Sequence, residues 1–154
     1  DRPALTHVPA ILAGLEESFP APPLLPQDRF ERADVRAFCA AIGCDIHPLQ
    51  NLRVLQYLET EFGADQAAKS AWCGRWIGEG LAACEALLAR RPSTTFCFGE
   101  SPGMADVYLV PQVFSAGRFG VDLSAMPRIC AIHRACEALP AFADAHPARQ
   151  PDAE

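Results

Sequence analysis

Apolar residues recur every three or four positions along each long segment of this chain, and runs of β-branched residues are scarce. That period stacks side chains on one face of an α-helix, and the abundant Ala and Leu favour helix. The pattern predicts an all-α fold, a bundle of about six helices. At 154 residues the chain suits one core that buries roughly two thirds of its unfolded surface. Its apolar half is more than a disordered chain would carry.

Prolines, glycines and capping residues divide that pattern. A short helix is expected over Pro9 to Ser18, with Ile11, Leu12, Leu15 and Phe19 on one side. The proline-rich stretch Phe19 to Pro26 cannot be helical and reads as an extended linker. A long helix is expected from Asp28 to about Phe62, opened by a capping-box-like Asp28 and Glu31 and closed by Gly63. Pro48 cannot donate to the carbonyl of Cys44, so this helix should bend there. Leu49, Leu52, Leu55, Leu58 and Phe62 mark its core-facing stripe. A further helix is expected over Asp65 to Arg90, with Trp72, Trp76, Ile77, Leu81, Cys84, Leu87 and Leu88 inward. Gly74, Gly78 and Gly80 weaken it locally, which points to a close helix crossing. Helices over Gly103 to Phe119 and Ala125 to Leu139, a turn near Ala141 and a polar tail complete the chain.

Composition removes several classes of function. A net charge of −6, a pI near 5.2 and no basic run argue against nucleic-acid binding. No apolar run approaches the ~18 residues a membrane span needs. The seven cysteines form no CxxC pair, and most fall on apolar helical faces, so they read as small buried hydrophobes in a reducing cytoplasm. Cys130, His133 and Cys136 could share one helical side, but a second ligand pair is lacking, so no metal is expected. Arginine supplies every cation except Lys69, a bias that high genomic G+C produces without any function.

Two stretches carry polar residues that a plain bundle does not require. In DIHPLQNLRVLQYL, residues 45–58, His47 and Asn51 are four apart and would share a helical face, with Arg53 half a turn beyond. In FGESPGMADVYLVPQ, residues 98–112, Asp106 lies three after Gly103 and can reach back to free N–H groups at the helix start, a folding role. Pro111 implies a second kink, and Gln112 and Arg118 follow on the same helix. On an ideal helix those two side chains diverge, a geometry the kink could change.

DIHPLQNLRVLQYL, FGESPGMADVYLVPQVFSAGRFGVDL and the tail HPARQPD resemble the zeta-class glutathione transferases, within them the maleylacetoacetate and maleylpyruvate isomerases. The likeness covers nearly the whole chain in order. It implies a thioredoxin-like domain that holds glutathione, followed by a helical domain that holds a second substrate. Residues 1–19 resemble the last helix of the first domain, 20–27 the linker, 28–146 the helical domain and 147–154 a tail. The rest of the thioredoxin-like domain, with its catalytic serine, is expected to lie outside this chain. No catalytic residue is therefore expected within it, and the 154 residues alone are expected to be inactive.

The resemblance implies glutathione-dependent cis–trans isomerisation of a maleyl diacid in aromatic catabolism, by a cytoplasmic homodimer. Thiolate addition makes the C=C bond single, rotation follows, and elimination restores the cofactor. Arg53, Arg118 and Asn51 match substrate-binding positions; His47, Gln112 and His7 match positions on the glutathione side. The chain departs from the family at His7 and Val8, where relatives carry a Gln-Ser pair that grips glutathione, and valine offers no hydroxyl. It departs again at Gly103, where relatives carry a threonine or serine cap.

Alternatives remain open on the residues alone. Arg53 could pair with Glu59 or Asp45, His47 and Asn51 could satisfy carbonyls freed at the proline, and Tyr108 could be core. The chain could also be a truncated, non-catalytic binding or dimerisation module, or a zeta-type transferase acting on small halo acids. An apolar face where the thioredoxin-like domain would dock is expected to be exposed.

Overall fold

A computed structural model describes residues 4–151 and Ala153. Among them seven α-helices account for most of the chain: α1 (Val8–Ser18), α2 (Arg29–Ala40), α3 (Leu52–Phe62), α4 (Gln66–Ala89), α5 (Met104–Arg118), α6 (Pro127–Glu137) and α7 (Pro140–Asp144). The only strand-like feature among the described residues is an isolated antiparallel bridge between Phe96 and Gly99. The fold is all-α, as the periodicity predicts.

The core forms where α2, α4, α5 and α6 meet, around Phe38, Ile46, Ile77, Leu81, Leu109 and Ile129. Helix ends follow the capping residues. Asp28 accepts from the N–H groups of Phe30 and Glu31, and Asp65 from that of Ala68. Only half of the expected capping box forms, because the Glu31 side chain lies near Arg91, at 3.7 Å. Gly63 ends α3 at φ 66°, a left-handed conformation natural to glycine. The start of α6 is held from outside the helix: the Glu85 carboxylate accepts from the N–H groups of Arg128 (3.0 Å) and Ile129 (2.9 Å).

Three expectations require correction. The helix expected over Asp28 to Phe62 is not one bent rod. It widens into a π-helical turn over Ala41–Ile46, tightens into a 3-10 turn over His47–Gln50 and stops at Asn51, whose ψ of 141° is extended. The proline removes one backbone donor, and the chain takes up the mismatch in two irregular turns before α3 restarts. His47 and Asn51 therefore do not share a helical face.

The leucine stripe does not face the core as expected either. No residue of α3 is buried, and Leu52 and Phe62 are 68% and 72% exposed. Leu49, Leu55 and Leu58 are half-buried. On α1, Leu15 and Phe19 are exposed, and the buried side chain is Glu16, which accepts from the N–H groups of Leu24 (2.7 Å) and Leu25 (3.3 Å). A carboxylate clamps the linker where periodicity placed a leucine.

Of the seven cysteines, five are buried, Cys130 is half-buried and Cys44 is exposed, and all are free thiols. Burial pushes Cys39, Cys84 and Cys136 up to about 12, so at neutral pH they are protonated packing groups rather than nucleophiles.

The close crossing expected from the α4 glycines occurs at Gly80. A Cβ there would fall 2.5 Å from Ile46 Cδ1 and closer still to its Cγ1. At Gly78 it would meet Val121 at 3.6 Å, an ordinary contact. Gly80→Ala is thus expected to destabilise by about 1–3 kcal/mol through overpacking. Gly78→Ala should be neutral or stabilise by up to about 1 kcal/mol through helix propensity. Urea unfolding of the two variants checks this opposition in sign, and equal effects would remove the crossing argument.

Candidate active site

The irregular segment after α2 and the start of α3 carry three of the six candidate residues, His47, Asn51 and Arg53. The 3-10 turn His47–Gln50 has no fully buried side chain, so burial alone holds it weakly. Two side-chain bonds to other helices secure it. The indole N–H of Trp72 on α4 donates to the carbonyl of Leu49 (2.7 Å), and the Gln50 amide donates to Gln112 Oε1 on α5 (2.8 Å). Asn51 then caps α3, its Oδ1 accepting from the N–H of Arg53 at 3.2 Å. Its carbonyl accepts from the N–H groups of Val54 and Leu55.

His47, Asn51 and Arg53 are exposed on this segment. The rival pairing of Arg53 with Glu59 does not form, since Glu59 binds Lys69 at 2.7 Å. Among the described residues neither Arg53 nor Arg118 has a carboxylate in ion-pair range. Arg118 is exposed at the C-terminal end of α5, its guanidinium 6.0 Å from the Phe119 ring centroid, the outer limit of a cation–π contact.

Helix α5 runs without interruption through Pro111 from Met104 to Arg118. Gln112 and Arg118 are separated along its axis by about 9 Å. Gln112 is 3% exposed, and its Nε2 is buried without a hydrogen-bond partner. His7 stands apart at the cap of α1, exposed, at φ 69°, with Nδ1 3.1 Å from Thr6 Oγ1. Among the described residues, the bond from Gln50 to Gln112 is the one side-chain hydrogen bond that joins residues 47–53 to α5.

A cleft of about 240 Å³ opens beside this segment, between α1, α2 and the start of α5. Arg32, Arg36, Cys44 and Tyr108 line it, and none of the six residues singled out in the sequence does. Burial, with the Cys39 and Cys44 thiols nearby, raises the Tyr108 phenol above its ordinary value. Tyr108 is a half-buried wall of this cleft rather than core. Gly43 permits the approach: a Cβ there would press on the Tyr108 ring at 3.1 Å.

Gln50, Trp72 and Glu16 carry local structure that no sequence pattern assigned to them. Gln50 lies within the DIHPLQNLRVLQYL motif, where an amide in an apolar stretch is a signal. A lone glutamate on an amphipathic helix gives no comparable signal.

In chemical terms these exposed residues offer two guanidinium groups that no carboxylate among the described residues neutralises, together with an imidazole and an amide. This composition suits a small ligand bearing carboxylates.

Residues 66–145 match the family described as "Glutathione S-transferase, C-terminal domain". A curated relative, maleylpyruvate isomerase from Ralstonia sp., is 54% identical over 96% of this chain and 70% of its own length. A solved structure of a maleylpyruvate isomerase, described as a bacterial zeta-class glutathione transferase, superposes with a TM-score of 0.95 at 54% identity, covering 97% of this chain and 71% of that one. A maleylacetoacetate isomerase from Anaeromyxobacter dehalogenans has dicarboxyethyl glutathione and citrate in its active site. It is 41% identical with a TM-score of 0.91, over 97% of this chain and 66% of that one. The chain belongs to the zeta-class glutathione transferases of the maleylpyruvate and maleylacetoacetate isomerase type.

Proposed function

We propose that this chain supplies the substrate-binding helices of a glutathione-dependent isomerase that converts a maleyl diacid to its fumaryl isomer. The observation that carries this reading is the pair of exposed arginines, Arg53 and Arg118, which no carboxylate among the described residues neutralises, on a fold shared with isomerases of that name. Arg53, Arg118 and Asn51 take the substrate side. The planar donor fork of a guanidinium matches a carboxylate with two parallel hydrogen bonds, which a lysine cannot do.

His47 and His7 take the glutathione side, to which the resemblance also assigns the buried Gln112. Glutathione is itself a carboxylate-bearing peptide, and the exposed imidazoles of His47 and His7 suit its polar groups. Val8 contributes no hydroxyl to that grip. When bound, glutathione supplies the sulfur nucleophile that loosens the double bond for rotation. This chain's own residues hold the diacid across that rotation and keep its carboxylates neutralised while charge shifts within it.

In the same reading, residues 1–19 are the last helix of a thioredoxin-like domain, 20–27 the linker, 28–146 the substrate domain and 147–154 a tail. The protein acts as a cytoplasmic homodimer in the breakdown of aromatic compounds. The exposed Leu52, Tyr57 and Phe62 on α3 give it an apolar surface for pairing. Among the described residues no helix is long and apolar enough to cross a membrane.

The test is an isomerase assay of the native protein with maleylpyruvate and with maleylacetoacetate, each with and without glutathione. Turnover of one or both that requires glutathione is the expected result. Turnover of small α-halo acids alone, or none of any substrate, would overturn the reading in favour of a broader transferase or a binding module.

A further inference from the structure

Gln112 poses a problem that its glutathione-side assignment does not solve. Its side chain is almost wholly buried, its Oε1 is already committed to Gln50, and its Nε2 is buried without a partner. An amide closed off from solvent in this way cannot meet a ligand directly without moving. A buried donor left unsatisfied is also a standing cost that native structures rarely tolerate without a reason. A methionine of similar length would fill the same space at no such cost.

The reason lies in what the amide holds. No side chain of the 3-10 turn His47–Gln50 is fully buried, and Pro48, Leu49 and Gln50 are only half-buried. The backbone bond that closes it, from Asn51 N–H to the Pro48 carbonyl, is long at 3.3 Å. Its placement therefore depends on tethers to neighbouring helices. The Trp72 tether ties it to α4, and the Gln50 amide ties it to α5. His47 opens the turn, Asn51 and Arg53 follow it, and Arg118 closes α5. Among the described residues the Gln50–Gln112 pair is thus the direct side-chain bond between the two segments that carry these polar residues, across 62 positions of sequence.

We infer that Gln112 is a positioning residue: through Gln50 it sets the turn that presents His47, Asn51 and Arg53, and it touches neither glutathione nor substrate. Its kinetic consequence rests on the isomerase reading given above; its structural consequence does not.

The test uses Gln112→Met, Gln50→Met and the double variant in the native protein. Gln112→Met removes both buried amide atoms together and is expected to keep its unfolding temperature, so misfolding does not obscure the result. The first readout is the imidazole carbon–proton NMR signal of His47 without ligand, assigned by its loss in His47→Gln. It is expected to shift in both single variants and no further in the double variant. The second readout is steady-state kinetics. KM for the diacid should rise about tenfold in each single variant, as misplacement of binding groups predicts, and the double variant should be no worse. KM for glutathione should stay within about twofold.

A His47 signal unmoved in both variants would overturn the inference. So would a kinetic loss in Gln112→Met that Gln50→Met does not share, because Gln112 would then act on a ligand itself. If the wild type shows no isomerase activity while the His47 signal still moves, the functional reading fails and the tether stands.

Discussion

Asp106→Ala is expected to destabilise the fold by about 3–6 kcal/mol, the loss of two hydrogen bonds to a charged acceptor at ~1.5–3 kcal/mol each. The carboxylate is 1% exposed. Its Oδ2 accepts from the N–H of Gly103 at 2.8 Å, and its Oδ1 accepts from the N–H of Cys97 at 2.9 Å. One bond closes the first turn of α5, where the helix dipole also favours an anion. The other fastens the loop that carries the Phe96–Gly99 bridge to that helix. Glycine at the cap has no side chain to share this work.

Alanine would leave both N–H groups in the interior without an acceptor. The loss is a large part of the ~5–15 kcal/mol that a domain of this size possesses. In urea the midpoint should fall by more than about 1 M. Asp34→Ala is the control: its 3.0 Å contact with Arg91 is exposed, and exposed pairs contribute about 0–1 kcal/mol. If the Asp106 and Asp34 variants lose equal stability, the two buried N–H groups are not what the carboxylate is for.

The second large effect is kinetic. Arg118→Ala and Arg53→Ala should each raise KM for the diacid about 10–100-fold, the cost of losing a hydrogen bond to a charged group at ~1.5–3 kcal/mol. KM for glutathione should change far less. Stability should stay within about 0.5 kcal/mol, because both side chains are exposed and pair with no carboxylate among the described residues. Lysine at either position should recover only part of the loss, since it restores charge without the planar fork. Steady-state kinetics with each substrate varied in turn separates these outcomes. A neutral result at Arg118 would return it to being a surface cation.

Much of the fold is legible in the amino-acid sequence. The helical period, the Asp28 and Asp65 caps, the Gly63 stop and the buried Asp106 depend on chemistry within a few residues, and they stand where local rules put them. The candidate polar residues draw notice for a different reason: arginine, histidine and asparagine stand out in an apolar stretch. What misleads is the assumption that an apolar stripe must find a core inside the same chain. Leu52 and Phe62 keep helical spacing yet lie open, and Glu16 is buried because the returning linker offers it two N–H groups. Periodicity reports which face is apolar. It is silent on what covers that face.

By itself, then, the sequence determined an all-α chain and those helix ends that a local cap or stop residue marks, because each follows from neighbours within about two helical turns. Only the tertiary structure decided how Pro48 would be accommodated. A bent helix and a broken one satisfy the same local rules. The choice depends on Ile46 seating against Gly80, on Trp72 reaching Leu49, and on Gln112 meeting Gln50. Those partners lie tens of residues away, beyond the reach of any local rule. It was these distant contacts that turned a predicted helix face into a tethered turn.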